Sequence, residues 1–387
     1  MRIAIVAHNL RVAGGLSVGK NVVSALSRVA DQHEYLLVLP AGVGYEDAPK
    51  PRRATCYFCR WRGGLAGQLF FEQWRLPRVV RRFKPDLVWG LGNFGLLRPG
   101  APQAVLLQQA YYVYDATKQR TPIWRTSYKT RYGIHRLKRS LRATQLVFCQ
   151  TETMAGRFKE SFQYTGKVQL FPNAVSRLTS GGTLARAPVV FTQLSNKFVL
   201  LCLTRYYRHK NLESLVDLFT QHREPLSDVA IILTIAADDM PGAARLLSRI
   251  DELGLAPHLV NVGPIAQEQL ASYFANSDAL ILPTVLESFS GTYLEAMCFG
   301  CPLLTSNMDF AREVCGSAAL YFDPYETESI RDAILHLKSS SAERAKLIKT
   351  GRRRYESLIR DWDSIVCDAM RHLEELSASA RRGAPGT

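Results

Sequence analysis

The sequence lacks any long hydrophobic run. No window approaches the roughly 18–20 apolar residues that a membrane-spanning helix needs. The apolar stretch in the opening segment, MRIAIVAHNL, is too short for a secretory signal and leads into a glycine-containing loop rather than a cleavage site. Both absences favour a protein that folds and remains in the cytoplasm.

Cysteines are too few for a disulfide framework, since the 387 residues contain only eight. Two CxxC pairs, Cys56/Cys59 and Cys298/Cys301, are the spacing that zinc sites use, but they lie far apart in the chain, and the second falls in a Gly-Cys-Pro turn. We interpret the cysteines as free thiols in a reducing compartment and expect no metal site.

Acidic residues are scarce in the first half of the chain. Residues 1–190 contain 29 Lys and Arg against 9 Asp and Glu, a surplus of 20, whereas the remainder contains 20 against 25. A surplus of this size predicts a polyanionic partner, either an anionic membrane surface or a nucleic acid. An Arg-rich solvated face is the alternative interpretation.

Short apolar strands alternate with amphipathic helices in two successive series, which predicts two α/β units with parallel sheets and a cleft between them. A Ser/Thr/Gly segment, Ser176–Thr183, predicts a linker. We place the first domain at residues 1–180, with a helix at about 355–377 packing back on it, and the second at residues 190–350. The strand candidates are Ile3–Ala7, Tyr35–Leu39, Leu87–Trp89, Ala104–Leu107, Gln145–Cys149, Phe198–Thr204, Val229–Ile235, Ala279–Leu282 and Pro302–Thr305.

The most informative segment runs from Leu282 to Pro302, LPTVLESFSGTYLEAMCFGCP. A strand ends near Pro283, and a helix begins near Gly291 and ends at Gly300. The small residues Ser288, Ser290 and Gly291 leave backbone N–H groups exposed at the helix start, which suits a phosphate. A carboxylate on the next helical turn, Glu295, has two oxygens with which to accept hydrogen bonds from both ribose hydroxyls.

Glu287 and Glu295 form an E-x7-E pair within a segment that resembles the signature of glycosyltransferase family 4, a retaining family of the glycosyltransferase group 1 type with the GT-B fold. The resemblance implies two Rossmann-like parallel-sheet domains that face a central cleft. It also implies that Glu295 binds the nucleotide ribose and that Glu287 contacts the donor sugar and is important for transfer. We assign Thr284, Phe289, Ser290 and Gly291 to the same donor site. The family often has Gly where this chain has Ser288 and Ser290.

A second group of residues follows the strand at Phe198–Thr204, in the segment LTRYYRHKN. Arg205 and Lys210 are two cations that can neutralise a diphosphate leaving group without a metal. The resembling family places an Arg and a Lys in this order for that purpose. We expect Asn211 to cap the following helix and assign no role to Arg208 or His209.

Gly14 and Gly15 follow the first strand without the G-x-G-x-x-G spacing of a dinucleotide fold. In the resembling family, a Gly-Gly loop of the first domain approaches the donor phosphates across the cleft. Many members also have a His-Asp on the acceptor side. Gln108 or Gln109 stands there in this chain, and because Gln is not a general base, no acceptor-side base is assigned.

Aromatic and basic residues alternate at Trp61-Arg62, Phe70-Phe71, Trp74-Arg75 and Arg78–Lys84, and a second basic stretch runs from Lys118 to Arg142. This pattern is typical of a face that docks on a membrane. No zinc-finger, RNP-type or helix-turn-helix signature supports nucleic-acid binding.

These observations predict a metal-independent, retaining glycosyltransferase that uses a nucleotide-sugar donor such as a UDP- or GDP-sugar. The implied acceptor is a glycan or a lipid-linked glycan at the inner face of the cytoplasmic membrane, with a role in cell-surface polysaccharide biosynthesis. A sugar-nucleotide epimerase with the same fold, and a non-catalytic protein that binds a nucleotide sugar or a polyanion, remain as alternatives.

Overall fold

A computed structural model describes residues 1–60, 64–114, 128–174 and 187–382. These residues form two compact units. The first unit contains the described residues up to 174 together with 360–382, and the second contains 187–359. The predicted interleaving at Trp61-Arg62, much of the basic stretch from Lys118 and the predicted linker lie outside the described residues.

The first unit has a parallel sheet with the strand order β3-β2-β1-β4-β5-β6-β7 in its described residues. Its strands are β1 (Arg2–Val6), β2 (Glu34–Pro40), β3 (Ala54–Cys59), β4 (Leu87–Gly90), β5 (Gln103–Leu107), β6 (Leu146–Cys149) and β7 (Lys167–Leu170). The strand order changes direction between β1 and β4. Loops that follow two such strands diverge to opposite faces, which opens a crevice at their carboxyl ends.

The second unit repeats this arrangement with the order β10-β9-β8-β11-β12-β13, again all parallel. Its strands are β8 (Phe198–Cys202), β9 (Val229–Leu233), β10 (Leu259–Asn261), β11 (Ala279–Leu282), β12 (Leu303–Ser306) and β13 (Leu320–Phe322). The change of direction falls between β8 and β11. The prediction of two Rossmann-like α/β domains is therefore confirmed.

Helices connect the strands in both units. In the first unit they are α1 (Ala13–Val29), α2 (Gly64–Phe70), α3 (Leu76–Phe83), α4 (Tyr128–Leu141), α5 (Glu152–Phe162) and, after the second unit, α14 (Trp362–Arg382). In the second unit they are α6 (Val189–Gln193), α7 (Glu213–Gln221), α8 (Pro241–Glu252), α9 (Leu270–Asn276), α10 (Gly291–Phe299), α11 (Asp309–Cys315), α12 (Thr327–Ser339) and α13 (Ser341–Leu358). A π-helical turn, Phe71–Arg75, joins α2 to α3.

Alternate residues of β1 serve two different cores, because successive side chains of a strand point to opposite faces. Ile3 and Ile5 pack in a cluster with residues of α1 and α14, whereas Ala4 and Val6 pack in a cluster with residues of the π-helical turn and α3. Both faces of the first sheet are thus covered, as an all-parallel sheet requires.

Four strands were not predicted from the sequence: β3, β7, β10 and β13. All four lie at the edges of their sheets. An edge strand is less completely covered, so it carries more polar residues and gives a weaker hydrophobic signal. β7, for example, has the sequence KVQL, and none of its four residues is buried.

Candidate functional site

Two loops of the second unit meet where the strand order changes direction. One follows β8 and carries Arg205 and Lys210, and the other follows β11 and carries Glu287. They are joined by a backbone hydrogen bond of 2.9 Å from Val285 N to His209 O. The sheet thus brings together residues that lie some 80 positions apart, as expected for neighbouring parallel strands.

Lys210 and Glu287 form an ion pair in which the Lys210 ammonium donates a hydrogen bond to Glu287 Oε2. Both side chains are largely buried, with 13% and 19% of their surfaces exposed. A buried charge is costly unless it is paired, so each group neutralises the other. The sequence predicted these residues as separate parts of the site and gave no indication of the pair.

Arg205 lies at the same edge of the sheet and is more open, with 62% of its side chain exposed. Its Nε is 3.2 Å from Oδ1 of Asp239, which follows β9. The terminal nitrogens of the guanidinium are the groups left to face a ligand. The two cations therefore differ: Arg205 is mostly exposed, whereas Lys210 is largely buried and paired with Glu287.

His209 lies between these cations in the sequence and adds no charge. Burial, together with the charge of Lys210, lowers its pKa to about 3, so the imidazole is neutral at physiological pH. Its ring stacks on Tyr207 with a centroid separation of 5.4 Å. His209 therefore adds no positive charge next to Lys210.

The expectation that Asn211 caps the next helix is wrong. Asn211 has φ of 55° and ends the short 3₁₀ turn Arg208–Lys210, while Leu212 precedes α7. Its side-chain amide donates to Pro324 O at 2.8 Å. Asn tolerates this left-handed conformation better than most residues, which explains its use at this reversal of the chain.

The start of α10 has the features predicted for an anion site. Ser290 precedes the helix in an extended conformation, and within the described residues its hydroxyl makes no capping bond. A β-carbon built at Gly291 would meet no described atom within 4 Å. The first backbone N–H groups of the helix are therefore not capped by this side chain, and these N–H groups and the helix dipole favour an anion.

Glu295 lies one turn further along α10 and is partly buried. Burial raises the pKa of its carboxyl group. Among the described residues it has no hydrogen-bond or ion-pair partner, so its oxygens are free to accept hydrogen bonds from a ligand. Such an unpaired carboxylate is a candidate binding group.

Hydrogen bonds to β11 and β12 fix the position of α10. The hydroxyl of the fully buried Tyr293 lies 2.8 Å from Thr305 Oγ1, which in turn donates to Leu282 O at 3.1 Å. Gly300 ends the helix with φ of 69°, as predicted from the sequence. Thr284 is buried directly after β11, and Phe289 is partly buried between Glu287 and the helix.

Comparison with known proteins decides the family of this unit. Residues 189–354 match the family model described as Glycosyl transferases group 1. These residues are a glycosyl transferases group 1 domain. The matched range contains Arg205, Lys210, Glu287 and Glu295.

Curated relatives align with part of the chain. A mannosylfructose-phosphate synthase from Agrobacterium fabrum is 27% identical over 177 residues, which are 43% of this chain and 38% of the relative. A D-inositol 3-phosphate glycosyltransferase from Rhodococcus opacus is 28% identical over 140 residues, which are 35% of this chain and 31% of the relative. The aligned part thus spans about a third of the length of these relatives.

Solved structures with the same fold match almost the whole chain. Sucrose-phosphate synthase from Thermosynechococcus elongatus superposes with a TM-score of 0.72 at 18% identity and covers 98% of this chain and 100% of that one. Anabaena Alr3699/HepE in complex with UDP gives a TM-score of 0.68 at 16% identity, with 97% and 100% covered. This likeness identifies the GT-B glycosyltransferase fold.

In the first unit, Gly14 and Gly15 lie in the first turn of α1, not in the loop that the sequence predicted. Val12 precedes the helix in an extended conformation and makes no capping bond with its side chain, which is apolar. Gln108 and Gln109 follow β5, and their backbone N–H groups donate to Asn93 Oδ1 at 2.7 and 2.8 Å.

Sequence reasoning missed a buried charged cluster at the carboxyl edge of the first sheet. His8 follows β1, and its Nε2 lies 2.8 Å from Glu72 Oε1. Arg136 Nη1 lies 2.6 Å from the other oxygen of Glu72. Burial acts to raise the pKa of Glu72, but the hydrogen bond to His8 and the charge of Arg136 lower it overall. The position of His8 directly after a buried strand was the signal available in the sequence.

A cavity of about 1010 Å³ in the first unit lies at the other edge of its sheet, beside the start of β6 and β7. It is lined in part by Lys138, Arg142, Tyr164 and Lys167. It is thus distinct from the carboxyl edges where the group 1 domain and the His8 cluster have their polar residues.

None of the eight cysteines is in a disulfide, as the sequence indicated. Within the described ranges, no group of three His, Cys, Asp or Glu side chains is arranged to hold a metal ion. No helix in the described part of the chain combines the length and the apolar character needed to cross a membrane.

Proposed function

We propose that the protein transfers a sugar from a nucleotide-sugar donor to an acceptor hydroxyl with retention of anomeric configuration. The observation that carries this proposal is the contact between Lys210 and Glu287 at the change of strand order, next to the uncapped start of α10. It brings a cation, a carboxylate and the N-terminus of a helix to one place within the group 1 domain.

In this proposal, Arg205 and Lys210 stabilise the departing nucleoside diphosphate without a metal. Backbone N–H groups near Ser290 and Gly291 contribute further hydrogen bonds to the phosphates. Glu295 holds the ribose and Glu287 holds the hydroxyls of the transferred sugar. Thr284 and Phe289 line the same site.

The reaction breaks the bond between the anomeric carbon and the phosphate oxygen, and the diphosphate leaves with the electron pair. The acceptor oxygen forms its bond on the face that the diphosphate leaves, and its proton passes to the leaving phosphate oxygen. This front-side path accounts for retention without a general base. It fits a first unit in which Gln108 and Gln109, rather than an imidazole, follow β5.

The acceptor that we propose first is a glycan or a lipid-linked glycan of cell-surface polysaccharide biosynthesis, bound by the basic first unit. A phosphorylated sugar or polyol is a second candidate. The names of mannosylfructose-phosphate synthase, D-inositol 3-phosphate glycosyltransferase and sucrose-phosphate synthase all include a phosphorylated compound. The surplus of positive charge in residues 1–190 suits a lipid-linked glycan whose carrier bears phosphate, and it equally suits a phosphorylated sugar or polyol.

We further propose a cytoplasmic location with peripheral attachment to the inner face of the membrane. Phe70 and Trp74 are 59% and 55% exposed, although they are large and apolar. Arg78 places its guanidinium 5.6 Å from the Trp74 ring centroid, and Arg75, Arg81, Arg82 and Lys84 are exposed nearby in the chain. Aromatic and basic side chains on one surface segment suit an anionic lipid interface.

The first experiment is a thermal-shift titration with UDP, GDP and ADP and their sugar conjugates on the wild type and on Glu295→Ala. A ligand at 100 times its dissociation constant adds about 2.7 kcal/mol of stability. We expect one nucleotide to stabilise the wild type and to lose most of its effect in the variant. If no nucleotide stabilises the wild type, with or without anionic vesicles, the donor-site assignment is wrong.

An assay of the products formed from the sugar donor then separates the proposed transferase from its two alternatives. Formation of free nucleoside diphosphate that depends on an acceptor supports transfer. Conversion of the donor to a different sugar nucleotide without acceptor would identify an epimerase. Tight donor binding with no product of either kind would identify a binding protein.

A further inference from the structure

Asp239 lies in the loop after β9, and its side chain contacts residues of the loop after β8. Its Oδ2 accepts two backbone hydrogen bonds of 3.1 Å, one from Tyr206 N and one from Ala236 N. Only 6% of its side chain is exposed. The carboxylate therefore has a fixed position, set by main-chain groups of both loops.

The other oxygen of this carboxylate holds Arg205. Its Oδ1 lies 3.2 Å from Arg205 Nε, which is the only interaction that the described residues give to this guanidinium. An arginine has five N–H donors, and using Nε leaves the four on the terminal nitrogens free. Those are the donors that form paired hydrogen bonds with a phosphate.

The main chain at Arg205 is fixed as well. Tyr206 is buried, and its hydroxyl donates to Glu213 Oε1 at 2.5 Å. Its ring fills the space beside Gly242, where a β-carbon would come within 2.3 Å of the hydroxyl oxygen. The residue after Arg205 is thus held at its backbone by Asp239 and at its side chain by α7 and α8.

We propose that Asp239 is a positioning residue for nucleotide binding, which holds the otherwise exposed Arg205 side chain with its terminal nitrogens directed at the diphosphate. The proposal rests on the donor site proposed above. A free arginine side chain loses conformational entropy when a ligand orders it. Holding Nε in advance removes part of that cost, as in other preorganised sites.

A competing effect has the opposite sign. The negative charge of Asp239 lowers the local positive potential and on that ground weakens the attraction of a diphosphate. Positioning therefore predicts that loss of the carboxylate weakens binding, whereas simple charge addition predicts that it strengthens binding. The two effects can be separated by the direction of the change alone.

The test is the affinity for UDP, GDP and ADP, measured by calorimetry on Asp239→Asn. The asparagine oxygen can keep the two backbone hydrogen bonds, but its amide group cannot accept from Arg205 Nε. We expect about a tenfold loss of affinity for the nucleotide that binds the wild type, since charge-assisted hydrogen bonds contribute about this much. With the sugar donor, we expect the change mainly in KM, because the diphosphate is bound before transfer.

Two further variants decide whether Asp239 acts through Arg205. In Arg205→Ala, the additional change Asp239→Asn should have almost no effect on affinity, because the group that it positions is gone. The matched control is Asp217→Asn, which removes the negative charge from the pair that Asp217 Oδ1 on α7 forms with Arg249 Nη2 on α8 at 2.8 Å, and it should leave affinity unchanged.

Unchanged or tighter nucleotide binding in Asp239→Asn, with wild-type binding intact, would overturn the positioning role. Equal losses in the presence and absence of Arg205 would also overturn it and indicate a purely structural effect. Failure of the wild type to bind any of the three nucleotides would instead overturn the proposed donor site itself.

Discussion

Lys210 and Glu287, which lie 77 positions apart in the sequence, form an ion pair at the carboxyl edge of the second sheet. Each residue is assigned to a different part of the donor, Lys210 to the diphosphate and Glu287 to the sugar. The pair therefore occupies, in the free protein, the hydrogen-bonding groups that both parts of the donor need. In the proposed function, donor binding exchanges this contact for two contacts with the ligand.

Glu287→Gln should separate nucleotide binding from transfer. The amide leaves Lys210 without its ionised partner, so the lysine is freer to bind a diphosphate, and UDP affinity should rise a few-fold. Transfer should fall by about 100-fold, since loss of one transition-state contact commonly costs that much. Calorimetry with UDP and initial rates with the sugar donor would measure both. Weaker UDP binding in this variant would mean that the pair supports the site rather than competing with the ligand.

Glu295→Gln should make the free protein more stable at neutral pH. Burial raises the pKa of Glu295 above its ordinary value of 4.5, so the folded protein binds more protons than the unfolded chain above that pH, and stability falls as pH rises through this window. Glutamine does not ionise, so the variant does not lose stability in this way. Its extra stability over the wild type at pH 7 should therefore disappear below about pH 4.5. Urea unfolding at pH 7 and pH 4 would measure it.

The same variant should respond less to a nucleotide. An amide cannot accept hydrogen bonds from two ribose hydroxyls as well as a carboxylate does. We therefore expect a higher melting temperature without UDP and a smaller UDP-induced increase than in the wild type. A variant with lower stability in the free state would contradict the view that Glu295 is an unpaired, partly buried charge.

Alanine substitutions at the glycine that begins α10 and at the glycine that follows it should have different effects. Gly300 has φ of 69°, so Gly300→Ala should cost about 1 kcal/mol of stability and leave UDP affinity unchanged. A β-carbon at Gly291 meets no described atom, so Gly291→Ala should fold normally and weaken UDP binding by about tenfold if the phosphates approach the helix start closely. Chemical denaturation and calorimetry would test both. Unchanged UDP affinity in Gly291→Ala would exclude close contact at that point.

Removal of the exposed aromatic rings should weaken attachment to anionic membranes. We expect the double variant Phe70→Ala/Trp74→Ala to bind vesicles containing phosphatidylserine at least tenfold more weakly, because each ring contributes buried apolar area at the interface. Binding of the wild type should also fall at high salt, since the basic residues act through a screened attraction.

The matched control for that experiment is Leu170→Ala, an exposed apolar residue at the edge strand β7. It should leave vesicle binding unchanged. Sedimentation at 50 and 500 mM salt would test the prediction. Equal binding by the wild type and the double variant would mean that Phe70 and Trp74 face a different partner.

Local patterns in the sequence were sufficient for the two-unit α/β plan and for α10. Buried central strands such as β1 and β11 are continuous apolar runs, so their signal does not depend on the rest of the fold. The end of α10 at Gly300 could be predicted because the left-handed conformation there favours glycine. The start of α1 could not, because Gly14 and Gly15 are more typical of a turn than of a first helical turn.

The sequence by itself determined which chemical groups the candidate site contains: Arg205, Lys210, Glu287 and Glu295, each near a strand end or a helix start. Only the tertiary structure decided which of them are in contact. Lys210 pairs with Glu287 and Arg205 with Asp239 because parallel strands place loops that are distant in the sequence at one edge. Likewise, Phe71 is buried and Trp74 is exposed because of the π-helical turn and the sheet that packs against it. A local sequence pattern does not predict either feature.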